Sequence, residues 1–189
     1  LLSVPGRGPG KQDCLSARVQ ARYPEALPVH RLDLGTSGLL VLARNADMHR
    51  ALNRLFATRR VEKRYVALVA GRMAAGEQVI DLPLIADWPN RPRQRVDHAI
   101  GKPSRTRLRA AGYEPGLDAT RVDLFPETGR SHQLRVHLRA IGHPILGDEL
   151  YAPPEVFARA PRLLLHATVL AFRHPSTATM LRVESPAPF

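Results

Sequence analysis

The sequence has a single cysteine, Cys14, and so no second thiol with which to close an intrachain disulfide. Such a chain suits a reducing compartment, and its first residues lack the charged-then-apolar pattern of a secretory signal, so a cytoplasmic location is expected. Long hydrophobic runs are missing too. The longest runs, such as Gly38–Ala43, which stops at Arg44, are far short of the roughly 18 residues that a membrane-spanning helix needs. Acidic residues are scarce, 17 against 28 lysines and arginines, and the net charge of +11 predicts a surface field that attracts a polyanion. Nucleic acid is the leading partner class and an anionic membrane surface the second.

Proline and glycine, 17 and 13 of 189 residues, stay below the level of a low-complexity chain, and the 44% hydrophobic content is enough for a packed core. The length fits one domain, expected over 1–189. The chain begins at Leu1 in mid-pattern, so an N-terminally truncated domain is expected, with the natural protein extending upstream.

Residues 1–13 read as a basic, Gly/Pro-rich loop. Gly6–Lys11 has the outline of a phosphate-binding loop but is one residue short, and Gln12 stands where Ser or Thr would hold magnesium. Val29–Arg31 leads into a Gly35-Thr36-Ser37-Gly38 turn, after which Leu39–Ala43 has the composition of a buried strand. Asn45 or Asp47 can cap a helix with Met48, Leu52, Leu55 and Phe56 on one face. A central strand is expected over 61–70, ended by Gly71, and a long basic loop over 81–102, where prolines alternate with Arg91, Arg93, Arg95 and Lys102. Strands over 104–111 and 119–125 precede a helix at 131–141, whose stripe of Leu134, Leu138 and Ile141 leaves His132, Arg135 and Arg139 on another face. Two strands, over 162–173 and 178–184, end the chain. Many strands with two clear helices predict an α+β fold, with a mixed, largely antiparallel sheet and flanking helices.

Two segments carry chemistry. In Val29–Gly38 a carboxylate, Asp33, sits between apolar residues beside Arg31 and ahead of a tight turn. It is either a placed acid or a turn organiser acting through backbone hydrogen bonds. In Thr128–His137 a helix start gathers Arg130, His132, Arg135 and His137, which read either as site residues or as a solvated basic face. The spacing of His132, His137 and His143 does not suit zinc, and neither Ser37 nor Ser131 lies in a Gly-x-Ser-x-Gly elbow.

Together these segments resemble the RluA-type pseudouridine synthases, whose motif His-Arg-Leu-Asp followed by Thr-Ser-Gly matches His30–Asp33 and Thr36–Gly38. The resemblance continues through Lys63–Ala67, Gly129–His137, Gly142–Asp148 and Leu163–Ala167. Leu1–Arg7, Asp81–Ile85, Asp87–Pro92 and Ala160–Arg162 are similar to the dual-specificity subgroup, which modifies 23S rRNA and tRNA. The family usually begins with a strand and an Asn-Lys-Pro-Ala/Ser-Gly turn ahead of the position of Leu1.

The resemblance implies a mixed β-sheet core with a central RNA-binding cleft, no metal and no cofactor. It implies Asp33 as the catalytic aspartate, Tyr65 as the active-site tyrosine, Arg135 as the cation paired with the aspartate, and Arg31 as the arginine that helps displace the target base. These roles suit the chemistry. A guanidinium about 4 Å from a carboxylate contributes roughly 4 kcal/mol of attraction at an effective dielectric near 20, offsetting the desolvation that would otherwise protonate it. A tyrosine can stack on the detached uracil, although a strand pattern alone fits a core tyrosine equally well. Arg91, Arg93, Arg95, Lys102, Arg105 and Arg130 are expected to bind RNA phosphates, while Trp88 is expected to anchor its loop rather than stack on a base. The expected assembly is a monomer on stem-loops of 23S rRNA and a tRNA anticodon arm. Two competing readings are a catalytically silent RNA-binding module and a synthase for a different rRNA uridine.

Overall fold

The computed structural model describes all residues from Leu1 to Phe189. In chain order its elements are α1 (Leu15–Gln20), β1 (Leu27–Pro28), β2 (Ser37–Gly38), β3 (Leu42–Ala43), α2 (Ala46–Ala57), β4 (Glu62–Ala70), β5 (Glu77–Asp81), β6 (Leu84–Ala86), β7 (Gln94–Val96), β8 (Arg105–Glu114), β9 (Ala119–Pro126), α3 (Gln133–Ala140), α4 (Pro154–Phe157), β10 (Leu165–Arg173) and β11 (Met180–Glu184). Contacts divide the chain into two units, one of Leu1–Lys63 with Ala167–Pro186 and one of Arg64–His166 with Ala187–Phe189. The division falls inside β4 and inside β10. This is the strand-rich α+β architecture with few helices that the patterning predicts.

In the first unit, α2 packs Leu52 with Val29, Ala43, Val61, Leu170 and Phe172, and Met48, Leu55 and Phe56 extend the same cluster. Its start is fixed by Asn45, whose Oδ1 accepts the Met48 N–H at 2.8 Å. The expected strand over 39–43 shrinks to Leu42–Ala43, because this stretch divides its backbone bonds among three partners. Leu39 N donates to Ala167 O, Val41 N to the His30 ring, and Leu42–Ala43 pair antiparallel with β1. Gly38 makes the change of partner possible: it sits at φ +106°, and a Cβ there would lie 2.2 Å from Ala167 O. At the other end of the unit, β10 and β11 pair antiparallel from Val169↔Glu184 to Arg173↔Met180.

The second unit is built on the antiparallel order β4-β9-β8-β5. β8 alternates as a strand with one solvated face should, with Thr106 and Leu108 buried and Arg105, Arg107 and Arg109 exposed. Ala67, Leu68, Val69, Val122 and Leu124 form the core with Leu134 and Leu138 of α3, and with Ile145 and Leu146 after it. The expected basic loop over 81–102 is instead a hairpin. β6 and β7 pair from Leu84↔Val96 to Ala86↔Gln94 around a tip at 87–93. Its prolines lie outside the paired positions, which leaves the ladder intact.

Candidate active site

In the first unit the backbone around Asp33 is held from two sides. Thr36 N donates to Asp33 O at 2.9 Å, closing a turn over Leu34 and Gly35. One residue earlier, Ser3 Oγ donates to Leu32 O at 2.9 Å and accepts from Leu32 N at 3.0 Å, satisfying both backbone groups with one side chain. Asp33 is half-buried in this frame and Arg31 is exposed. Thr36 Oγ1 is buried in the same turn with no hydrogen-bond partner; such a group costs about 1–3 kcal/mol, which a bound polar molecule can relieve.

His30 ties this turn to the segment after it. Its Nε2 accepts the Val41 N–H at 3.1 Å, and its ring stacks on Phe56 with centroids 4.7 Å apart. Burial, followed by the charge of Lys63, lowers its pKa from 6.5 to about 4, so at neutral pH the ring is an uncharged acceptor. The unfolded chain binds this proton more readily, so the stability His30 confers is complete above about pH 6.5 and is lost as pH falls towards 4, by about 3 kcal/mol. In urea unfolding across that window, the midpoint of the parent should fall more steeply than that of His30→Gln. His137, whose pKa burial also lowers, contributes to both proteins alike. Equal slopes would show that His30 is not held neutral.

In the second unit, Tyr65 sits on β4 opposite Leu124, half-buried and packed against the core. Arg135 lies on α3, six of whose residues, Gln133–Leu138, are buried. The expected basic face does not exist as such: Arg135 and His137 point into the protein and only Arg139 is solvated. Arg135 is 5% exposed and meets Asp148, which is fully buried, through Nε–Oδ2 at 2.8 Å and Nη2–Oδ1 at 2.6 Å. Asp148 Oδ1 also accepts from Leu150 N and Tyr151 N. The Tyr151 ring lies 5.0 Å from the Arg135 guanidinium, and its hydroxyl accepts from Gln94 N and bonds His132 Nδ1.

The helix start is built by Gln133 rather than by Ser131. Gln133 Oε1 accepts from Thr128 Oγ1 and Arg130 N, and its Nε2 donates to Arg105 O and Thr106 Oγ1. His132, at φ +53°, makes the entry. His137 bonds Thr106 Oγ1 and Leu82 O, and His143 bonds Ala70 O. Ser3, Asp148, Tyr151 and Gln133 went unassigned in sequence. Asp148, Gln133 and Ser3 carried a signal in their places within the Gly142–Asp148, Gly129–His137 and Leu1–Arg7 segments, and Tyr151 carried none.

The expected phosphate-binding residues differ in their surroundings. Arg95 pairs with Asp97 at 2.8 Å, Arg105 with Glu127 at 3.6 Å, and Arg130 donates to Pro103 O. Arg93 and Lys102 are exposed and make no ion pair, and Arg91 lies over the Trp88 ring at 4.5 Å. Trp88 is 66% exposed. The loop-anchor reading is therefore wrong; the hairpin is held at its base, where Leu84 packs with Val136 and Tyr151.

A family model described as RNA pseudouridylate synthase matches residues 6–140. The chain belongs to that family. The dual-specificity RNA pseudouridine synthases RluA of Escherichia coli (strain K12) and Yersinia pestis are 50% and 49% identical to the synthase over 189 residues, covering all of this chain and 86% and 91% of theirs. Among solved structures, human RNA pseudouridylate synthase domain containing 1 superposes with a TM-score of 0.81 at 32% identity, covering 93% of the synthase and 75% of that chain. Human RNA pseudouridylate synthase domain containing 4 gives 0.78 at 25% identity, covering 100% and 83%. The synthase thus has the fold and the isomerase activity of enzymes that act on RNA.

Proposed function

We propose that the synthase is a dual-specificity enzyme that converts uridine to pseudouridine in stem-loops of 23S rRNA and in a tRNA anticodon arm. The observation that carries this reading is the identity of about one residue in two, along the whole chain, with enzymes named for dual specificity.

The reaction breaks the N1–C1′ bond, turns the uracil, joins C5 to C1′ and moves a proton from C5 to N1. Atoms and electrons balance within the nucleotide, so the side chains named here suffice. Asp33 is the catalytic carboxylate, acting as a nucleophile or as the base that takes a sugar proton. Tyr65 faces the uracil during its rotation. Arg135 supplies the fixed cation of the site, a role suited to a guanidinium that does not deprotonate, and Asp148 holds that guanidinium in one orientation. A base within an RNA helix has to be extruded at a cost of a few kcal/mol, and the exposed Arg31 fills the space it leaves.

Arg91, Arg93, Lys102 and Arg130, which have no carboxylate partners, bind phosphates more strongly than Arg95 and Arg105, which pair with Asp97 and Glu127. A monomer acting on these stem-loops is part of the same proposal. Its positive charge and reduced Cys14 suit a cytoplasmic enzyme, and no helix is long and apolar enough to cross a membrane. Unmodified 23S rRNA and tRNA transcripts, incubated with the protein and mapped for pseudouridine, should each gain one in a stem-loop. Modification of only one RNA would overturn dual specificity, and modification of neither would overturn the catalytic reading.

A further inference from the structure

The tip of the β6–β7 hairpin is rigid, cationic and crowned by an exposed indole. Asp87 N donates to Arg93 O, Asn90 N to Asp87 O and Arg93 N to Asn90 O, while Asn90 Nδ2 donates to Asp87 Oδ2. At the base, Tyr151 OH accepts the Gln94 N–H at 2.8 Å. Trp88 therefore projects from a fixed frame with 66% of its surface exposed and the Arg91 guanidinium 4.5 Å from its ring centroid. Leaving so large an apolar ring in water forgoes its burial energy, and the tip offers it no apolar cluster to join.

We infer that Trp88 and Arg91 form a stacking platform for an unpaired base of the substrate RNA, a base that is bound and not converted. The inference rests on the RNA-modifying activity described above. Three features favour RNA as the occupant. The indole is flanked by Arg91 and Arg93, neither of which has a carboxylate partner, so phosphates on either side of a stacked base meet positive charge. The one acid of the tip, Asp87, is engaged by Asn90. The remaining neighbours, Pro89 and Pro92, are too small an apolar surface to seat a protein segment. An open platform also cannot shield a uracil during its detachment from the sugar, so the stacked base is not the target. Every base has a π-face, and stacking is tolerant of sequence; a platform of this kind lets one enzyme grip more than one RNA.

Trp88 is the only tryptophan in the chain, so fluorescence excited at the red edge, where tyrosine does not absorb, reports on this residue alone. Titration with a stem-loop RNA that contains the target uridine should quench the emission and protect it from acrylamide, with a midpoint equal to the dissociation constant measured by filter binding. Asp33→Asn should give the same quenching without product. Trp88→Ala, at an exposed position, should fold as the parent does and bind the stem-loop roughly five- to 150-fold more weakly, and Trp88→Phe should recover part of the loss. The salt dependence of binding should be unchanged in both variants, because an indole neutralises no phosphate. Emission that ignores saturating RNA, or a Trp88→Ala protein that binds as tightly as the parent, would overturn the platform and point to a protein partner for the tip. Quenching without pseudouridine formation by the parent would leave the platform standing and remove the catalytic reading; product without quenching would do the reverse.

Discussion

Asp33→Asn is expected to lower the rate of pseudouridine formation by about 10³-fold or more, the scale on which enzymes lose activity when a central catalytic group is removed. The substitution keeps the shape of the side chain and removes its charge and basicity, the two properties that attack on carbon or removal of a proton requires. The local frame has backbone ties of its own. The turn is closed by the backbone bond from Thr36 N to Asp33 O, and the preceding residue is held by Ser3. A folded variant is therefore expected, with an unfolding midpoint near that of the parent. Release of tritium from RNA labelled at uracil C5 reads the reaction directly, because pseudouridine formation removes that hydrogen. A folded Asp33→Asn protein releasing tritium at nearly the parent rate would return Asp33 to the role of turn organiser.

Much of this architecture was legible in the sequence where local patterning and tertiary structure agree. Asn45 caps α2 and Gly71 follows β4, because capping chemistry and the positive φ of Gly71 are properties of single residues. The alternation along Arg105–Ala110 marks β8 for the same reason: its period is local. The failures share a cause, which is the choice of partner. Leu39–Ala43 has strand composition, but its N–H groups go to Ala167, a histidine ring and β1, and no pattern within five residues encodes that division. The run of prolines and arginines at 81–102 reads as a loop, yet Leu84 pairs with Val96, both pack with Tyr151, and the segment becomes a hairpin. α3 reads as amphipathic because Arg135 and His137 are polar, and both are buried because Asp148, Thr106 and Leu82 satisfy them from 13 to 55 residues away. For the site, the motif was sufficient to nominate Asp33, Tyr65 and Arg135. The residues that frame them were not nominated, since Ser3, Gln133 and Tyr151 act through hydrogen bonds to partners up to 57 residues away, which no local pattern encodes.

Asp148→Ala tests the most consequential of those bonds. The Arg135 guanidinium meets both Asp148 oxygens, at 2.8 and 2.6 Å, in a part of the protein where the two side chains are 5% and 0% exposed. Two backbone N–H groups, of Leu150 and Tyr151, end on the same carboxylate. Truncation to alanine removes four hydrogen bonds and one charge together, and breaking a buried pair from one side costs about 3–5 kcal/mol. A shift of that size should appear as a lower urea midpoint with an unchanged dependence on denaturant. Pseudouridine formation should also fall, because Arg135 loses the contact that orients it. Stability and catalysis can then be separated by removing both charges. Arg135→Met with Asp148→Leu replaces the pair by apolar volume, an exchange that is often neutral or stabilising, so the double variant should regain much of the lost midpoint. It should regain none of the activity, since the guanidinium itself is gone. A double variant as unstable as Asp148→Ala would mean that the bonds to Leu150 N and Tyr151 N, rather than the ion pair, hold this corner together. A double variant that recovered activity would remove Arg135 from the catalytic set.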